Sequence, residues 1–254
     1  MLASIVTAVI FLLLHVLFPH RPKPIKDYDK LLLVNEHKYK IYEIFSLIPL
    51  FFFISAICYV FYLLGNDVQA IYFRSREADL AIYPPASFWL VPGLCFGFGL
   101  IIPPMEFLYR LMLQEEYEVY TAYTNRKHGF DGYRAMRFLC MGCVTAGVIL
   151  SFLGLGWYKE VRDDKIIIDD FGSLSPQEYS LQEIESITHF QQNTTAKGVA
   201  EVEPHYKIIF SDGRTWDTSD NFHEVGEEKY QAIVEYILSK TKLEVAYKDV
   251  DVAD

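Results

Sequence analysis

Apolar residues run in long blocks as far as Tyr158, and from Trp157 onward they recur at every second position. The blocks predict membrane helices, and the alternation predicts strands. Four blocks are long enough to cross a hydrocarbon core of about 30 Å, which takes roughly 20 apolar residues. They are Met1–Phe18, Ile44–Leu64, Phe88–Leu108 and Phe138–Tyr158. The first holds no Lys, Arg, Asp or Glu. It lacks a basic start and ends in Phe18-Pro19-His20 where a signal peptide would carry a small-x-small cleavage site, so it reads as a retained span. The second closes at Gly65-Asn66-Asp67, and the fourth carries Gly142, Gly147, Gly154 and Gly156.

The third block is unlike the others. It follows Pro84-Pro85 and contains Pro92, Gly93, Gly97 and Gly99 before Pro103-Pro104. Proline removes backbone hydrogen bonds that lipid cannot replace, so this segment has to be covered by other helices. Two readings stand. One is a broken or re-entrant helix lining a membrane path built from Pro92, Gly97, Gly99, Pro103, Pro104 and Glu106. The other is a kinked helix packed through its small residues. Glu106 is a functional candidate if it sits at membrane depth, and an ordinary solvated carboxylate if it reaches the interface.

Between the third and fourth blocks, Glu106–Tyr123 keeps apolar residues at mostly helical spacing, with Gln114, Glu115, Glu116 and Glu118 among them. This predicts a helix that leaves the bilayer and lies along its surface. A basic and aromatic turn follows. Its residues Arg126, Lys127, His128, Tyr133 and Arg134, together with Arg137, suit an interfacial anchor among lipid headgroups or a contact for a partner.

The region after Trp157 predicts strands at Tyr158–Arg162 and Lys165–Asp169 around an Asp163-Asp164 turn, and a third at Gln177–Ser180. A tight turn at Leu181–Ile184 leads into Glu185–Gln191. A polar loop is expected at 193–198. His205–Phe210 and Arg214–Thr218 flank Ser211-Asp212-Gly213, and an Asp-Gly pair between alternating runs is a strong hairpin signal. One amphipathic helix, Glu227–Ser239, closes the chain with Tyr230, Ile233, Val234, Ile237 and Leu238 on one face.

Charge divides the chain at the same place. Residues 1–157 hold 13 Lys and Arg against 12 Asp and Glu, net +1, whereas residues 158–254 hold 10 against 21, net −11. A mean hydropathy of +0.14 is therefore the average of an apolar part and an acidic one. Nucleic acid is excluded as a partner, because phosphate contacts need the opposite sign. Lys and Arg number six in connection 20–43, two in 65–87 and five in 109–137. Positive-inside counting then places the first and third connections in the cytoplasm, and with four spans residues 158–254 lie outside it. A re-entrant segment at 88–108 would place them inside.

The order of Lys165–Gly172, Glu178–Ile187 and Tyr206–Trp216, ended by one helix, resembles the bacterial PH-like domains of small membrane proteins. The resemblance covers roughly residues 158–240. It implies a small α+β PH-like domain over 158–254, antiparallel strands closed by a C-terminal helix, joined to the α-helical membrane domain over 1–157 that the apolar blocks predict, four transmembrane helices with the third broken by Pro and Gly. PH domains that bind phosphoinositides carry a basic patch near the first hairpin. Here that hairpin is Arg162-Asp163-Asp164-Lys165, so this domain is expected to contact protein and not anionic lipid.

Motifs for chemistry are weak. Glu115-Glu116 resembles the paired glutamates of intramembrane CAAX-type proteases, but Tyr120 stands where that motif carries Arg. Cys140-Met141-Gly142-Cys143 has redox or metal spacing without a second pair, and its cysteines read as small apolar residues. The seven His residues show no metal-ligand spacing. No catalytic residue, cofactor or metal is expected. The expected function is a non-enzymatic protein of the bacterial inner membrane, anchored by its helices among membrane lipids, whose acidic domain binds an unidentified protein partner. An immunity protein against a membrane-acting or pore-forming toxin is one alternative. A small transporter or channel component is another, and it requires a homo-oligomer because four spans enclose too little.

Overall fold

Long apolar sequence in a helix satisfies its own backbone, and this sets the first half of the chain. The computed structural model describes residues 12–19, 28–76, 78, 80–194, 200–219 and 227–251. Residues 12–17 are helical, while the rest of the first predicted span, residues 1–11, lies outside the described residues. Six helices follow: α1 (Tyr28–Phe45), α2 (Leu47–Arg74), α3 (Leu90–Gly99), α4 (Ile102–Leu113), α5 (Tyr117–His128) and α6 (Gly132–Leu155). Among the described residues, three helical stretches are long and apolar enough to cross a membrane: His37–Arg74, Ala86–His128 and Gly132–Leu155. Phe51, Phe52, Phe107, Leu111, Phe138, Leu139 and Phe152 on these stretches are exposed. Exposed apolar side chains in such number are compatible with a surface that faces lipid.

The chain forms two compact units, Met1–Leu63 with Leu90–Leu150, and Leu64–Trp89 with Ser151–Asp254. In the first, the Pro/Gly segment divides into two helices. α3 ends at Gly99, and Pro103 and Pro104 occupy the opening turn of α4, where a helix has no use for a backbone N–H. The prolines therefore begin a helix and do not interrupt one. α4 passes through a 3-10 turn at Gln114–Glu116 into α5, so the predicted surface extension is helical but re-aimed at Gln114, whose φ is 47°. Tyr39 of α1 packs edge-on to Tyr120 of α5, and Tyr109 of α4 stacks on Tyr120. Ion pairs Lys38–Glu116 and Lys127–Glu43, each 2.9 Å, join α1 to the same region.

Among the described residues the second unit holds eight strands and α7 (Glu227–Lys240). One antiparallel sheet has the order β1 (Leu80–Ile82), β2 (Tyr158–Arg162), β3 (Lys165–Asp169), β4 (Gln177–Ser180). The other has the order β7 (Thr215–Asp217), β6 (Ala200–Phe210), β5 (Ile184–Thr194), β8 (Val245–Asp251), with β8 parallel to β5. Asp163 and Asp164 both have positive φ, 51° and 60°, which closes the β2–β3 hairpin with the twist its strands need. Val161, Ile166, Ile168, Ile187, Ile208, Phe210 and Trp216 bury one face against Tyr230, Ile233, Val234 and Ile237 of α7.

Two strands go beyond the sequence expectation. β1 comes from the connection 65–87, so that connection belongs to the unit of the sheets. β8 follows the helix that was expected to end the fold. Both are short or charged, and VAYKDVD carries no clean alternation. The predicted loop at 193–198 narrows, since β5 runs to Thr194 and β6 starts at Ala200; residues 195–199 lie outside the described residues.

Candidate functional site

β2 has the burial pattern of a strand covered on both faces. Tyr158, Lys159, Glu160 and Val161 are all buried, although Lys159 and Glu160 would ordinarily mark a solvated edge. Lys159 and Val161 face the main core, where the Lys159 ammonium lies 5.2 Å from the Trp216 ring. Tyr158 and Glu160 face the opposite way, toward the end of α2, and Tyr158 clusters there with Phe73 and Ile167.

Arg76 supplies the countercharge. Its Nε donates to Glu160 Oε2 at 3.0 Å and its Nη2 to Glu160 Oε1 at 3.1 Å. Nη2 also donates to the Tyr158 hydroxyl at 2.6 Å, and Nη1 to the Tyr72 hydroxyl at 2.8 Å. The guanidinium lies 4.0 Å from the Tyr158 ring centre. Burial opposes its charge, but the hydrogen bonds it donates to Glu160, with that carboxylate's charge, more than offset this and hold Arg76 above its ordinary pKa. Such a planar, forked pair fixes orientation as well as charge. Next to it, Gln69 donates to the Pro84 carbonyl at 2.8 Å and accepts the indole N–H of Trp89. The segment after α2 is thereby folded back and β1 is delivered to β2 in the register Ala81 opposite Glu160.

The predicted path residues fall elsewhere. Pro92, Gly97 and Gly99 are buried in α3, and Glu106 lies one turn into α4. A Cβ on Gly93 would come within 2.8 Å of the Cys58 carbonyl oxygen, and one on Gly97 within 2.8 Å of the Ile54 carbonyl oxygen. Gly93 and Gly97 thus seat α3 directly on the backbone of α2. Gly99 faces α6, where a Cβ would meet Val144 at 2.5 Å, and the Cys140 thiol donates to the Phe98 carbonyl at 3.2 Å. The G-x-x-x-G spacing of Gly93 and Gly97 is the signal that could have identified this contact from sequence. Pro92, Gly97 and Gly99 are thus buried on α3, with Gly97 against α2 and Gly99 against α6, whereas Pro103, Pro104 and Glu106 sit beyond the helix break. Glu106 accepts from Arg110 at 2.8 Å and from the Tyr133 hydroxyl.

The predicted anchor residues share the α5–α6 corner. Arg126, Lys127 and His128 form the last turn of α5, which Gly129 caps at φ 77°. Asp131 accepts from the Arg134 backbone N–H at 3.0 Å and so caps the start of α6. Arg137 lies over the Tyr133 ring at 4.8 Å. Lys127 turns away to Glu43. In the second unit, the backbone N–H of Arg214, with the Tyr179 hydroxyl, holds the Asp212 carboxyl below its ordinary range in the β6–β7 turn.

Among the described residues no group of three His, Cys, Asp or Glu side chains is placed to hold a metal ion. Comparison with protein-family models, with curated proteins and with solved structures found nothing that matches this chain.

Proposed function

We propose that this chain is a non-enzymatic membrane protein of the bacterial inner membrane. In this reading its acidic sheet unit is a PH-like module that binds another protein, and the helices are its anchor. Two four-stranded sheets around one helix support the PH-like reading. Within the sheet unit, the Arg76–Glu160 pair ties β2 to the residues following α2. The observation that carries the interaction is the edge of the second sheet. Among the described residues β8 pairs on one side only, with β5, and it presents Tyr247 at 76% exposure. An unpaired strand edge with an exposed aromatic is a docking surface for an extended segment of a partner, and the net −11 of residues 158–254 favours a basic one. Positive-inside counting supports placing this edge outside the cytoplasm.

Both parts are tested by Tyr247→Cys in the full chain with Cys58, Cys95, Cys140 and Cys143 replaced by Ala. An impermeant maleimide carrying a photocrosslinker labels the residue in intact cells, and illumination yields one discrete heavier adduct. Labelling only after lysis overturns the orientation. No adduct with impermeant or permeant reagent overturns the interaction.

A further inference from the structure

The α5–α6 corner carries a recess that none of the contacts above accounts for. It holds about 450 Å³ and is lined by Leu17, Phe18, Arg134, Arg137, Phe138 and Met141. Its walls come from two distant parts of the sequence, held together at the rim. The Asp131 backbone N–H donates to the Phe18 carbonyl at 2.9 Å, Pro19 forms a β-bridge with Phe130, and Phe18 packs on Phe138 with ring centres 5.9 Å apart. His15 adds an edge-on contact to Phe130 at 5.8 Å.

The lining is divided by chemistry. Arg134 and Arg137 stand on the first two turns of α6, before its apolar run begins at Phe138. No carboxylate among the described residues lies within 4.0 Å of either guanidinium; the Arg137 charge acts on Glu106 from further off, and Arg137 lies over the Tyr133 ring. One turn further along α6, Met141 and Phe138 face the recess with Leu17 and Phe18, and Leu17, Phe138 and Met141 are well exposed. Arg134 and Met141 are about 10 Å apart along the helix axis at 1.5 Å per residue. That span takes in a headgroup layer roughly 5–7 Å thick and the upper part of the hydrocarbon. Cations at headgroup level above an apolar slot match a ligand with a negative head and an apolar tail, and the volume is that of a small-molecule site.

We infer that this recess is a binding site for one anionic phospholipid, with the phosphate between Arg134 and Arg137 and an acyl chain along Phe138, Met141 and Leu17. The site lies wholly in the helical unit and does not depend on what the sheet unit binds.

The test uses the full-length protein in a neutral detergent, where no charged leaflet surface attracts cations in general. Phosphatidylglycerol or phosphatidylcholine is titrated in, and bound lipid is counted by native mass spectrometry. One phosphatidylglycerol is expected to bind in preference to phosphatidylcholine. Arg134→Gln with Arg137→Gln removes both cations, and the preference for phosphatidylglycerol is expected to fall at least tenfold, about 1.4 kcal/mol. Met141→Trp fills the slot and weakens phosphatidylglycerol without touching a charge. Lys242→Gln with Lys248→Gln, on the sheet unit, leaves binding unchanged and the elution profile of every variant reports its folding. Equal binding of phosphatidylglycerol by the wild type and the folded double-Arg variant overturns the proposal. So does full displacement of the lipid by millimolar inorganic phosphate, which would assign the recess to a small anion.

Discussion

The helical unit and the sheet unit each contain a network of Glu, Arg and Tyr, and the two differ in nearly everything except composition. In the helical unit, Glu106 pairs with Arg110 one turn away on the same helix, and its side chain is 24% exposed while that of Arg110 is 62% exposed. In the sheet unit, Glu160 pairs with Arg76 across 84 residues of sequence, with side chains 0% and 19% exposed. A pair one turn apart that still reaches water gains little, because water and salt screen it. A buried pair joining distant segments is different. Each partner removed strands the other charge away from water. The comparison shows that identical side chains decorate a helix in one setting and determine a strand register in the other.

Packing follows the same contrast. Around α3 the helices approach through glycine, backbone against backbone, as small residues allow helices to do. In the sheet unit, isoleucine and aromatic side chains fill the space between the sheets and α7, and both faces of β2 are covered.

The largest expected effect comes from breaking the buried pair. Glu160→Leu leaves the Arg76 guanidinium without its carboxylate and costs about 3–5 kcal/mol, read as an earlier loss of monodisperse full-length protein on heating in detergent. Adding Arg76→Met to that variant restores most of the loss; a double variant as unstable as the single one would show that the pair is not what joins the segments. Next in size is Gly97→Leu. Its side chain must displace the Ile54 carbonyl of α2, an overpacking cost of about 1–3 kcal/mol, and the same heating assay should show a clear but smaller shift. The smallest effect is expected from Glu106→Gln, which keeps the hydrogen bond with Tyr133 and should leave the heating profile unchanged within error. A shift as large as that of Glu160→Leu would erase the distinction between the two networks.

Much of the local architecture was legible along the chain. Long apolar blocks marked α2, α3 with α4, and α6. The Asp163-Asp164 and Asp212-Gly213 turns marked two hairpins, and the spacing of Tyr230, Ile233, Val234 and Ile237 marked α7. The candidate sites were less legible. Arg134 and Arg137 stood out as basic residues beside a span, but the apolar wall from Leu17 and Phe18 did not, since nothing near residue 17 points to residue 138. Arg76 was visible only as one of two cations in a short connection.

The sequence by itself marked the apolar helices and the hairpins, because these depend on neighbours within a few positions, but it missed α1 in the connection 20–43 and the run of α2 past Gly65-Asn66-Asp67 to Arg74. The tertiary structure alone decided that Leu80–Ile82 joins a sheet begun at Tyr158, that Lys159 and Glu160 are buried, and that Val245–Asp251 adds a parallel edge. Each of these depends on a partner far along the chain. A charge in a strand looks solvated until the segment that covers it, and supplies its countercharge, has been brought into place.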